Sequence, residues 1–139
     1  MATIVVGVDR SPGGRAALQV ANELSKQLGL RLVIAHVADG IRGPEGAESV
    51  TSAKARQGAA RLLEELARQH GLDDDVDRRG DVGDPAERLA SIASEEGADL
   101  IIVGSRRRGR RRWKLVNGLL GDLSASTARP VLVVPPAQG

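Results

Sequence analysis

The densest chemistry in the chain lies in the run Ser105-Arg106-Arg107-Arg108-Gly109-Arg110-Arg111-Arg112-Trp113-Lys114. Guanidinium groups hold phosphates through charge-assisted, often bidentate hydrogen bonds, so this run has the chemistry of an anion site. Seven of the 20 Lys and Arg residues fall between 106 and 114, and without them the net charge of +2 becomes −5. The basic excess therefore belongs to one loop on a mildly acidic body. Three readings of the loop stand open: a solvated cationic surface, a phosphate-binding arm, or a contact for a polyanion such as RNA, DNA or an anionic membrane surface. The last would show steep salt dependence, because each neutralised phosphate releases counterions. Trp113 has three readings, anchoring the loop, packing at an interface between copies or stacking on a base, of which packing is the simplest.

The other candidates are sparse. Asp9 follows an apolar run and precedes Ser11-Pro12, where a carboxylate serves either a ligand or a local turn and helix cap. His36 precedes Val37 in a second apolar run and reads as a structural histidine, since no Ser-His-Asp arrangement is legible around it. His70 stands near a helix end, where a protonated ring would favour the dipole. Asp73-Asp74-Asp75 lacks the spaced Asp and Gly pattern of a calcium loop and reads as a solvated turn. No activated nucleophile and no paired acid and base are legible, so the sequence predicts a binding protein and not an enzyme.

Composition narrows the classes further. With 139 residues, 41% hydrophobic and 27% charged, the chain fits one globular domain, residues 1–139. Phe and Tyr are absent and Trp113 is the only aromatic, which excludes a sheet that stacks bases on aromatic rings. Without cysteine there is no disulfide, thiol nucleophile or cysteine-bound metal. The start MATIVVGVD has neither a basic segment nor a long apolar one, and no run approaches a membrane span, so a soluble cytoplasmic protein is expected.

The elements that must position these residues follow from periodicity. Ile4 to Val8, Leu32 to Val37, Leu100 to Val103 and Val131 to Val134 are almost continuously apolar and largely β-branched, the mark of strands buried on both faces. A weaker strand, Val76 to Val82, carries more Asp and Arg than apolar residues and belongs at a sheet edge. Ser11-Pro12 starts a helix whose expected buried stripe is Ala17, Val20, Ala21, Leu24 and Leu28, ending at Gly29. A second stripe, Ala55, Ala59, Leu62 and Leu66, closes at Gly71, after a long loop over residues 39 to 50. A third helix opens at Asp84-Pro85-Ala86-Glu87, buries Leu89, Ile92 and Ala93, and stops near Gly97; a fourth carries Val116, Leu119, Leu120 and Leu123. The alternation predicts an open α/β fold with right-handed crossovers and helices on both faces. Ligands of such sheets sit outside the carboxyl ends of the strands, here Gly7-Val8-Asp9, His36-Val37-Ala38, Gly80 to Gly83 and Gly104-Ser105.

In order along the chain, IVVGVDRS, IAHV, VGDPAERL, LIIVGSRRRG and PVLVV together resemble the universal stress protein domain, over essentially the whole length. The resemblance implies a Rossmann-like, five-stranded parallel sheet of order 3-2-1-4-5 and a homodimer paired through the Val131–Val134 strand. Some members of that family bind ATP or another adenine nucleotide and some bind none. The binders are similar in carrying Gly-x2-Gly-x9-Gly-(Ser/Thr) after the fourth strand, where backbone N–H groups meet the phosphates. Laid on this sequence without gaps, the pattern falls on Gly104, Arg107, Asn117 and Gly118, so only the first glycine is kept and the hydroxyl is missing. Gly109 and Gly118 lie close enough to support a shifted loop, and Asn117 tolerates left-handed backbone angles. Val8 and Val37 resemble the backbone positions that frame adenine, and Asp9 the position that orients ribose or a metal. The resemblance thus implies adenine nucleotide binding through a degenerate glycine motif supplemented by arginines, with Mg only as the nucleotide's companion and with slow, incidental ATP hydrolysis at most. The alternative is a dimeric interaction module without nucleotide, whose Arg106–Arg112 loop takes a polyanion or a protein.

Overall fold

The computed structural model describes residues 2–38, 47–105, 123 and 127–136. Five parallel strands, β1 (Thr3–Gly7), β2 (Arg31–Ala38), β3 (Asp77–Val82), β4 (Leu100–Gly104) and β5 (Val131–Val134), form one sheet of order β3-β2-β1-β4-β5. The helices α1 (Pro12–Leu28), α2 (Ala47–Gln69) and α3 (Pro85–Glu95) connect them.

The unbroken apolar runs are explained by what covers each face. Ile4, Val6, Val8, Leu32, Ile34 and Ile102 pack with α1 and α2 through Leu18, Ala21, Leu62, Leu63 and Leu66. Their neighbours Val5, Val33, Ala35, Ile101 and Val103 pack on the other face with Leu89, Ile92 and Ala93 of α3 and with Leu123. Because side chains alternate across a strand, a sheet covered on both faces needs apolar residues at every position. β3 is an edge strand, as its charge predicts, and β5 is the other edge.

Helix starts follow local chemistry. The Ser11 side chain caps α1 by accepting the Gly14 N–H, and the Asp84 side chain caps α3 by accepting that of Glu87. Gly29, at φ +65°, ends α1 in the left-handed conformation that glycine adopts without cost. Two expectations are corrected. α1 buries Leu18 and Ser25, whereas Leu28 is 64% exposed, because it is the helix's last residue and no further turn follows to cover it. The segment expected as loop to residue 50 is helical from Ala47, the polar first turns of α2 having no apolar stripe to announce them. Of the fourth helix, Leu123 is helical and fully buried, and its carbonyl accepts the Thr127 N–H at 3.0 Å; residues 106 to 122 lie outside the described residues.

Candidate functional site

The connection from β1 runs to one side through β2 and β3, then α3 carries the chain back across to β4 on the other side of β1. At this reversal neighbouring connections leave in opposite directions and a crevice opens above the strand ends. A cleft of about 360 Å³ lies there. Gly7, Val8, Asp9, Ser11 and Gly14 line it from β1 and the start of α1. Ala35, His36, Val37 and Ala38 line it from β2, Pro85 and Leu89 from α3, and Val103 and Gly104 from β4.

The floor is held by hydrogen bonds that the local sequence prescribes. Gly14 N–H donates to Ser11 Oγ at 3.0 Å, and the Ser11 hydroxyl donates to Asp9 Oδ1, which also accepts the Ser11 N–H at 2.9 Å. The Asp9 carboxylate thus sits at the positive end of the α1 dipole, in the Asx turn that its spacing to Ser11 suggests. Glycines make the approach possible. A Cβ on Gly14 would collide with the Asp9 carboxylate, one on Gly13 with the Ser105 carbonyl, and one on Gly104 with the Gly13 backbone. Gly104 is therefore required where the first turn of α1 crosses the end of β4, a steric cause separate from any phosphate contact.

On the β2 side the registered pairing with β1 ends at Gly7↔Ala35, while β2 continues along β3 to Ala38↔Val82. The last rung of the first ladder is Val8 N–H to the Ala35 carbonyl, 2.8 Å. Gly83 N–H donates to the Ala38 carbonyl at 3.0 Å, so Ala38 turns its backbone groups to β3. Alternation along a parallel strand then turns the N–H and C=O of Val37 to the β1 side, into the crevice. His36 Nδ1 lies 2.7 Å from the Val8 carbonyl. Since a carbonyl only accepts, Nδ1 carries the proton and donates to it.

Of the residues singled out by sequence, Val8, Asp9, Val37 and Gly104 come together on this cleft. Arg107, Gly109, Asn117 and Gly118 lie outside the described residues. Leu89 and Pro85 were legible only as helix core and helix start, and nothing in their own pattern announced a cleft wall. Ser11 and His36 stand next to strand ends, and that adjacency is the signal that marks them as lining. His70 is not at the cleft; burial, and then Arg15, hold its imidazole below the ordinary value of 6.5, so the charged dipole partner expected from sequence is disfavoured. Asp73, Asp74 and Asp75 are exposed, with the Val76 N–H closing a turn on the Asp73 carbonyl at 3.1 Å. Among the described residues no group of three or more His, Cys, Asp or Glu side chains gathers as a protein-held cation would need, and no helix is long and apolar enough to cross a membrane.

A doubly wound α/β sheet with a small cleft at its switch point defines a class whose ligands sit outside the carboxyl ends of the strands. Within that class the chain belongs to the universal stress protein family, whose model matches residues 1–135. It is 29% identical over 135 residues to a universal stress protein of Mycolicibacterium smegmatis, covering 96% of this chain but 45% of that protein. This chain thus spans under half the length of that relative. Among solved structures it is similar to a universal stress protein family member from Burkholderia pseudomallei, at 28% identity and TM-score 0.72, over 98% of this chain and 96% of that one. A universal stress protein solved in complex with cAMP shares the fold at 21% identity and TM-score 0.73, over 98% of each chain.

Proposed function

We propose that this chain is a regulatory stress-response domain, residues 1–139, that binds an adenine nucleotide, ATP or AMP, without turning it over as an enzyme. The observation that carries the reading is the convergence of the β1, β2 and β4 ends on one cleft with the Val37 backbone turned into it. A purine edge presents adjacent donor and acceptor atoms, which an N–H and C=O on one residue match. The apolar wall of Val8, Ala35, Leu89 and Val103 suits the faces of the ring. Asp9 then stands where ribose hydroxyls would meet an acceptor, and Gly104 leads into the segment whose Arg107, Gly109, Asn117 and Gly118 supply the phosphate arm. The complex of a family relative with cAMP supports the choice of an adenine nucleotide. Mg enters, in this reading, with the nucleotide and not on a protein cage, and the setting is the cytoplasm, where such nucleotides are abundant.

The same reading includes a homodimer through Val131–Val134. β5 is an edge strand, and Leu132 on it is 40% exposed, which leaves an apolar edge in need of cover. Leu132→Asp shifts the species seen by light scattering toward monomer; an unchanged mass would remove that interface.

Calorimetric titration with ATP, AMP and GTP at two salt concentrations, on protein freed of co-purified nucleotide, tests the main reading. Saturable binding selective for adenine and retained at higher salt is expected. Binding equal across bases and lost with salt would replace it with a polyanion contact at the arginine loop, and no binding at all would also overturn it.

A further inference from the structure

The Val8 carbonyl stands at the place where the sheet stops and the cleft begins. In a continued ladder the next rung after Val8 N–H to Ala35 would run from the Val37 N–H to that carbonyl. Its approach is taken by the imidazole of His36, with Nδ1 at 2.7 Å. The donor comes from the residue that precedes Val37, so the side chain of β2 reaches the acceptor that the β2 backbone would otherwise claim.

We propose that His36 is a positioning residue which, by donating Nδ1–H to the Val8 carbonyl, keeps β1 and β2 parted and reserves the Val37 N–H for a ligand. The inference rests on the nucleotide reading for the identity of the ligand, while the parting of the strands is a property of the protein alone. Three observations converge on it. The registered pairing of β1 with β2 ends at Ala35 although β2 continues to Ala38. His36 and Val8 both line the cleft. The ring nitrogen that meets the carbonyl must be the protonated one, which fixes the orientation of the imidazole.

Replacement of the imidazole by a group that cannot reach the carbonyl lets the strands close by one rung and consumes the Val37 donor. In His36→Ala and in His36→Gln, whose longer amide does not match the Nδ1 position, ATP and AMP should bind about three- to tenfold more weakly, the worth of one hydrogen bond. His36→Asn, whose amide nitrogen falls near Nδ1, restores the affinity. Amide exchange read by NMR on the full chain without nucleotide gives the second measurement. The Val37 amide exchanges fast in the parent protein and in His36→Asn, and slows in His36→Ala and His36→Gln.

Equal Val37 exchange in the parent and His36→Gln, or a parent amide already protected without ligand, overturns the proposal. Unchanged nucleotide affinity in a folded His36→Gln does so as well. Should the parent protein bind no adenine nucleotide, the nucleotide reading falls by itself, and the exchange pattern still decides whether His36 parts the strands.

Discussion

The two ends of the sheet are built on opposite principles. At the amino ends of the strands, charges answer one another: Arg31 reaches Asp77 and Glu96, each at 2.6 Å, and Arg79 reaches Glu96 at 2.6 Å and Glu95 at 2.7 Å. These pairs tie β2, β3 and the end of α3 together, and Glu96, 15% exposed, is shared by both arginines. Around the cleft at the carboxyl ends the contacts are made by glycines, backbone groups and short polar side chains around Asp9, Ser11 and His36, and the Arg56–Asp81 pair, 3.5 Å, belongs to α2 and the edge strand β3. The difference teaches where this fold puts stability and where it keeps bonding capacity. A charge already engaged by opposite charges has little left for a ligand, whereas backbone at a parted strand end has groups that a ligand can satisfy.

Substitutions at each end can break or sharpen that contrast. The largest effect is expected from Gly104→Ala, whose new Cβ collides with the Gly13 backbone, a neighbour that cannot rotate away. A loss of about 3 kcal/mol in denaturant unfolding, together with weakened nucleotide binding, is expected from such overpacking. An unchanged midpoint would mean that the close crossing of α1 over β4 is not needed.

Glu96→Gln comes next. It removes the shared carboxylate of the closed end and should cost about 1.5 kcal/mol, less than two fully buried charged hydrogen bonds because water screens the partly exposed arginines. Nucleotide affinity should stay as it was; a drop would erase the division between the two ends. The same carboxylate sets an acid limit. Hydrogen bonds from Arg31, and then Arg79, hold the Glu96 carboxyl below its ordinary value of 4.5. Its contribution is therefore complete above about pH 4.5 and is lost as pH falls through the lower folded value. Stability measured against pH should lose part of that acid slope in Glu96→Gln.

Ser11→Ala sharpens the contrast from the open end. It removes the α1 cap and the hydroxyl that bridges Gly14 to Asp9, for a cost of about 1 kcal/mol. Unlike Glu96→Gln it should also weaken nucleotide binding, because Asp9 loses the hydroxyl donor while keeping the Ser11 N–H; retained affinity would separate the cap from the site. The smallest effect belongs to His70, outside both ends. Its imidazole is held below 6.5 by burial, so the unfolded chain takes up a proton first as pH falls below that value, and stability declines. His70→Gln should flatten this shallow slope in thermal melts, and an unaltered slope would assign it to another group.

Much of this was written in the order of residue types. Buried parallel strands need apolar residues on both faces, and β1, β2 and β4 each announced themselves by that rule; β5 carries the same kind of run but is an edge strand with Leu132 exposed. Ser11, Gly29 and Asp84 announced helix ends because their side chains or conformations serve the backbone locally. The failures were equally physical. Leu28 fitted the helical stripe of α1 but is exposed, since periodicity names a face without saying how far the sheet extends beneath it. The first turns of α2 are polar and carry no stripe, so Ala47 gave no sign of the helix start.

Sequence alone therefore determined the layered α/β class, most strand and helix positions, and the strand ends near which a site must lie, because these depend on contacts within one or two turns of the chain. It reached Asp9, Val8, Val37 and Gly104 as separate candidates. Only the tertiary structure decided that they share one cleft, that Leu89 and Pro85 close its side, that Gly104 is forced by a crossing backbone, and that His36 meets the Val8 carbonyl. Each of those facts joins residues far apart in sequence, and the register of a sheet and the crossing of a helix over a strand end, not the pattern of either element, set which atoms meet.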